Sequence, residues 1–223
     1  MNKAVITIDG PAGAGKSTVS KAVAAELNYL YLDTGALYRA LAYKAMQNKI
    51  DIHNREEVAS FCRQVQVQLK NKGDKMQVIV DGEDPGDKIR NEKVGLAASA
   101  ISAYPAVREK LLALQRQAGA GGGIVAEGRD MGTVVFPDAR FKFFLDAGVE
   151  ERIKRRATEL AHKNKKADTG AIARDMKARD KNDASRDLAP LAAAEDALVI
   201  DSTSLNVSQV VELILKRIRE AML

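Results

Sequence analysis

The hydrophobic positions of this chain follow two periods, and the alternation between them predicts an α/β domain. Val5, Ile6, Thr7 and Ile8 form a short β-rich apolar run bounded by Asp9-Gly10-Pro11, the pattern of a buried strand ending in a glycine turn. From Ser17 to Asn28 the spacing becomes helical, with Val19, Ala22, Val23 and Leu27 on one face. Strand, glycine loop and helix in that order open a βαβ unit. Further buried strands are predicted over residues 124–126, 141–145 and 198–200, and helices over 91–102 and 105–118. The last helix carries Val207, Val210, Val211, Ile214, Leu215 and Ile218 at 3/4 spacing, with Asn206 and Gln209 placed as cap and reciprocal partner.

Two segments break this rhythm. After a predicted helix over residues 55–63, Val65, Val67 and Leu69 alternate with glutamines, Gly73 turns the chain, and a second β-rich run follows over 76–80. Together they predict an antiparallel hairpin inserted in the α/β chain, with room for a third short strand. Between Val149 and Asp183 the sequence is charged and helix-favouring, with almost no apolar face expected. The glycines at 119 and 121–123 precede a strand and lack a Lys-Ser ending, so they read as a connector.

The candidate chemistry starts at the first turn. Gly10-Pro11-Ala12-Gly13-Ala14-Gly15-Lys16-Ser17 fits G-x-x-x-x-G-K-[ST] at every fixed position, between the required strand and helix. The glycines let backbone N–H groups face phosphate oxygens, and the helix start adds partial positive charge. Lys16 is placed to reach the β- and γ-phosphates and Ser17 to ligate Mg²⁺, with Thr18 next to them on the same turn. This defines an ATP site without identifying the acceptor.

Three further segments suit the acceptor. Thr34 and Arg39 follow the next strand, Arg39 being suited to a second phosphate. Glu127, Arg129 and Asp130 follow the strand at 124–126, at the carboxyl edge where open α/β sheets bind ligands, and Glu127 is placed to hold a Mg²⁺-bound water. Arg179 and Arg186 lie two turns apart if the helix is continuous and would then face one ligand. Arg152, Lys154, Arg155 and Arg156 are candidates for a lid that neutralises the transferring group. His53, His162 and Cys62 have no partners at metal or nucleophile spacing.

Composition narrows the class. A chain of 223 residues holds one core with a small insert, and no apolar run is long enough to span a membrane. Met1-Asn2-Lys3 leads straight into the first strand, so no secretory signal is expected. One cysteine excludes an internal disulfide and suits a reducing cytoplasm. The net charge of +5 suggests anionic partners, but the few aromatics and the lack of tryptophan give no stacking platform for nucleic acid.

Taken in order, IDGPAGAGKST, LDTGALYRA, EGRDMGTVVFPDA, residues 179–186 and DALVIDST closely resemble the bacterial cytidylate (CMP) kinases, a family of nucleoside monophosphate kinases. The resemblance runs over essentially the whole chain. It implies transfer from ATP to CMP or dCMP with Mg²⁺. The chain is expected to work as a monomer, without nucleic-acid or membrane partners. It implies a P-loop core over residues 1–35 and 104–223, with a lid at about 150–166. Residues 36–103 would form the monophosphate-binding region with its β insert. Ser99, Arg108 and Asp130 would read the base near Thr34, while Arg39, Arg129 and Arg186 hold the CMP phosphate and Arg179 and Asp183 the sugar. Lys16, Arg129, Arg155 and Arg186 form the expected catalytic set, with either Arg155 or Arg156 as the lid residue at the phosphates. Thr34 departs from the family's frequent serine, and Asn182 and Ala184 from more basic or polar residues. A kinase for UMP, AMP or shikimate, or a P-loop ATPase acting on a polymer, are the competing readings.

Overall fold

Strands buried on both faces read as continuous apolar runs, and such runs form the centre of this sheet. The computed structural model describes residues 3–162 and 168–221. Along the chain lie β1 (Val5–Asp9), α1 (Lys16–Leu27), β2 (Leu30–Asp33), α2 (Thr34–Gln47), α3 (Arg55–Gln64), β3 (Val67–Lys72) and β4 (Lys75–Val80). Then follow α4 (Glu92–Ile101), α5 (Pro105–Gly119), β5 (Ile124–Gly128), β6 (Phe141–Asp146), α6 (Val149–His162), α7 (Thr169–Ala184), β7 (Leu198–Asp201) and α8 (Val207–Glu220).

The sheet order is β3-β4-β2-β5-β1-β6-β7, and every pairing is parallel except β3 with β4. β1 lies between β5 and β6, so the connections diverge on either side of it and open a crevice at the carboxyl ends of the strands. Register places Asp9 opposite Gly128, and Asp33 opposite Glu127, at that edge.

Helices cover both faces. Ile6, Ile8, Phe143 and Leu145 of the sheet pack with Val19 and Val23 of α1 and with Ile214 and Ile218 of α8. Asn206 and Gln209 form the expected reciprocal cap of α8, with N–H···O distances of 3.0 and 2.9 Å. A second core joins α2, α3, α4 and α5 through residues such as Leu37, Leu41, Ile101 and Leu111.

The hairpin differs in detail from the sequence expectation. Val65 caps α3, so β3 starts two residues later, and Glu83 only bridges back to Val80 where a third strand was allowed for. The hairpin also joins the main sheet, through the single register pair Tyr31–Lys75. The charged stretch after residue 149 is corrected as well. α6 and α7 share a narrow apolar seam of Leu160, Ile172 and Met176, backed by Ile153 and Ala157. α7 stops at Ala184, so Arg179 and Arg186 are not two turns apart on one helix, and each reaches the crevice separately. Residues 163–166 of the expected lid lie outside the described residues.

Candidate active site

The loop from Gly10 to Gly15 wraps from β1 into α1, and its glycines are required by space as well as by conformation. Gly10 (φ 144°) lies against β6, where a Cβ would run into the Leu145 carbonyl group. Gly13 (φ 77°) has Met176 and Arg152 against it, with a Cβ placed 2.8 Å from Met176 Cε. Gly15 (φ 95°) caps α1 in the left-handed region, which a side chain would strain. Lys16 follows, buried, its Nζ donating to the Pro11 carbonyl at 2.7 Å. Burial, and then the Arg129 charge, push its ammonium down to about 7 against the pull of Glu127, Asp9 and Asp183. Ser17 and Thr18 are exposed on the wall of the crevice, and Ser17 interacts with the Glu127 carboxylate.

Glu127, at the end of β5, is itself buried and accepts a hydrogen bond from the Tyr31 hydroxyl. Burial, and then the Asp33 charge, raise its carboxyl above the ordinary range. Among the described residues no cluster of three or more His, Cys, Asp or Glu side chains is arranged to hold a metal. A hydroxyl and a single carboxylate suit an ion that keeps much of its water and takes phosphate oxygens, as Mg²⁺ does.

The basic run of α6 divides three ways. Arg152 is buried, donating to the carbonyls of Ala12 and Ala147 at 3.0 Å each and pairing with Asp180 of α7 at 2.6 Å. It therefore buttresses the phosphate loop from behind. Arg155 lies at the loop's open side, donating to Ser202 O at 2.6 Å and to Ala14 O at 3.4 Å. Arg156 turns to Glu92 and Glu159, while Lys154 stays exposed.

Across the crevice the acceptor candidates form a pre-paired set. Thr34, buried at the start of α2, donates to the Glu127 carbonyl at 2.7 Å. Asp33 caps α2 through the Ala36 N–H and grips Arg39 at 3.1 and 2.9 Å, with Arg90 at 3.5 Å. Its burial would raise the carboxyl, but those arginines and the N–H together hold it below the usual range. Asp183 accepts from Ser99 Oγ at 3.1 Å and Arg129 Nε at 2.8 Å, with Arg186 3.9 Å away. Asp130 pairs with Arg108, whose guanidinium stands 5.9 Å from the Tyr38 ring. Burial raises the Asp130 carboxyl, opposed by Arg108 and Arg186. Arg186 donates to Ser102 Oγ at 2.8 Å, and Arg179 reaches Glu92.

One cleft of about 1290 Å³ takes in Lys16, Ser17, Thr18, Glu127, Arg155 and all nine acceptor positions named from the sequence, whereas Gly10 and Pro11 lie behind it. Sequence reasoning missed several of its polar groups. Arg90 and Glu92 flank Asn91, where the predicted helix begins and whose side chain takes the Val94 N–H at 3.0 Å. Asp9 was read only as the edge of a turn. Its buried carboxylate accepts from Met131 and Gly132 N–H at 2.9 and 2.8 Å, tying the base of the phosphate loop to the π turn (Met131–Val135) after Asp130. Burial raises that carboxyl to about 6, opposed by the two N–H groups.

A largely parallel sheet with this switch point, its crevice lined by a phosphate loop and by paired arginines, is the architecture of a P-loop phosphotransferase. The profile described as cytidylate kinase matches residues 6–220. A cytidylate kinase of Desulfitobacterium hafniense is 47% identical over 210 residues, 94% of this chain and 90% of that one. One from Citrifermentans bemidjiense is 45% identical over 219 residues, 98% of this chain and 94% of that one. The chain belongs to the cytidylate kinase family. The crystal structure of an uncharacterized protein from Eubacterium ventriosum shares the fold, at a TM-score of 0.52 and 14% identity over 98% of this chain and 99% of that one.

Proposed function

We propose that this enzyme transfers the γ-phosphoryl group of ATP to CMP or dCMP, giving CDP or dCDP. The observation that carries the reading is the one cleft lined by both the phosphate loop and the Arg108–Asp130 and Asp183–Arg129–Arg186 groups. Asp130 with Arg108, and Ser99 nearby, offer both donors and an acceptor to the polar edge of a cytosine, while Arg39, Arg129 and Arg186 suit its phosphate. The family resemblance assigns Asp183 and Arg179 to the sugar hydroxyls.

The attacking atom in this scheme is a phosphate oxygen, anionic at neutral pH, so no general base is needed. That agrees with a cleft lined by arginines, lysines and carboxylates and by no histidine or cysteine. What the chain contributes is alignment and charge: Lys16 and Arg155 on the donor, Arg129 and Arg186 on the acceptor, both nucleotides held in line. Mg²⁺ held by Ser17, with Glu127 reached through water, would supply charge neutralisation between the β- and γ-phosphates. Small-molecule substrates, one buried cysteine, and no helix among the described residues long and apolar enough to cross a membrane favour a cytoplasmic enzyme.

A coupled assay with CMP, dCMP, UMP, AMP and shikimate tests the reading directly. CMP and dCMP are expected to be phosphorylated far faster than the others. Preferred turnover of UMP, AMP or shikimate would replace the acceptor. ATP hydrolysis stimulated by a polynucleotide, without transfer to any monophosphate, would overturn the kinase reading.

A further inference from the structure

Three helices that border the cleft meet at one side chain that the scheme above does not use. Glu92, the first residue of α4, takes Arg156 of α6 on Oε1, through Nε at 2.9 Å and through Nη2 as well. Its other carboxylate oxygen takes Arg179 Nη2 of α7, and its backbone carbonyl accepts from the same nitrogen at 3.1 Å. One turn on, Gly95 leaves the space in which the Arg179 guanidinium lies, since a Cβ there would stand 2.8 Å from Arg179 Cζ. Glu92, Gly95, Arg156 and Arg179 all face the cleft.

An acidic residue in a first helical turn has a bland role, favouring the helix dipole by a few tenths of a kcal/mol to about 1 kcal/mol. That role accounts for neither the convergence of two arginines from two other helices nor the notch at Gly95. Arg156 is also served by Glu159 at the other end of its guanidinium, so pairing with Glu92 is not its only source of neutralisation. Two guanidinium groups drawn to one point repel each other, and a carboxylate between them lets both enter the cleft wall. The same contact sets α6 and α7 in register with α4, the helix that carries Ser99.

We propose that Glu92 is a positioning residue for phosphoryl transfer, acting through Arg179 to fix the acceptor wall and through Arg156 to bring the α6–α7 pair against it. The inference rests on the kinase reading above. Loss of the Glu92 charge frees Arg179 to leave the acceptor, so the acceptor is held less well, while the phosphate loop keeps the Arg152 contacts to Ala12 and Asp180 and the Arg155 contacts to Ala14 and Ser202, none of which involves Glu92. A loosened wall also admits water as a competing acceptor.

The test compares wild type with Glu92→Gln, Gly95→Ala, Arg179→Ala and the double variant Glu92→Gln/Arg179→Ala. Glu92→Gln is expected to raise the KM for CMP roughly tenfold, the loss of one charge-assisted hydrogen bond, with the KM for ATP unchanged. ADP formed per CDP should rise above one. Gly95→Ala should shift both quantities the same way, because it displaces Arg179 without altering charge, and it carries the test if the other variant folds poorly. Adding Glu92→Gln to Arg179→Ala should cost little more than Arg179→Ala alone, as expected of residues acting as a unit. Fully additive effects would overturn the proposal. So would parallel rises in both KM values with a lowered Tm, which would leave Glu92 as an acidic first-turn residue that only stabilises α4. Wild type unable to phosphorylate CMP would instead strike down the kinase reading.

Discussion

Burial and the neighbouring Arg129 charge push the Lys16 ammonium down to about 7, yet the role proposed for it is to meet phosphates as a cation. The two facts are reconciled by the ligand, because a polyphosphate beside Lys16 favours the charged form and raises its pKa again. The sign follows: above about pH 7 part of the Lys16 population is neutral in the free protein, so binding ATP must draw protons from the buffer. Titration calorimetry at pH 8 in two buffers of different ionisation enthalpy should report proton uptake, and Lys16→Ala should abolish that part of it. Equal heats in both buffers would show that Lys16 is already fully charged. The same variant should lose turnover by on the order of 10²–10³-fold, as removing one preorganised donor to developing charge does, with its circular dichroism retained. CDP formation at the wild-type rate would remove Lys16 from the mechanism.

At the scale of elements, the phosphate loop is gripped by α6 and α7 as well as by β1 and α1. Arg152 takes the Ala12 carbonyl and Asp180 together, and Met176 of α7 fills the space over Gly13. Gly13→Ala therefore places a methyl 2.8 Å from Met176 Cε and 3.1 Å from Arg152 Cβ, on a backbone at φ 77°. The cost expected is about 1–3 kcal/mol in urea unfolding, with a raised KM for ATP and little change in that for CMP. Stability and both KM values at wild-type level would mean that the helices do not depend on this seat. This contact also marks where the sequence stops being legible. The loop, the hairpin and the α8 cap were readable because turn chemistry and local period specify them. The α6–α7 seam was not, because its Leu160, Ile172 and Met176 are spread thinly among charges and meet only when two helices pair. Arg90, Glu92 and Asp9 escaped for the same reason, since their roles lie in partners 57 or more residues away that local spacing does not encode. Arg179 and Arg186 both reach the cleft, but one from within α7 and the other from beyond its end, not along one continuous helix.

For the whole molecule, the decisive property is that the residues proposed for the donor and those proposed for the acceptor line one cavity. Lys16 and Arg155, and Arg108 with Asp130, line the same 1290 Å³. If phosphate passes directly between nucleotides there, one molecule joining adenosine to cytidine through a polyphosphate chain should occupy both halves together. Tethering turns its second contact into an intramolecular one, so affinity should exceed that of ATP or CMP alone by roughly 10²–10⁴-fold when the chain length matches the span. A series with three to six linking phosphates should thus show a sharp optimum, read as Kd by calorimetry or as the rise in Tm that tight binding to the folded state produces. Shorter linkers cannot span the two sites and should bind no better than a single nucleotide. An affinity that fails to exceed that of ATP at any length would mean that the two halves are not filled at once, and direct in-line transfer across this cleft would have to be abandoned.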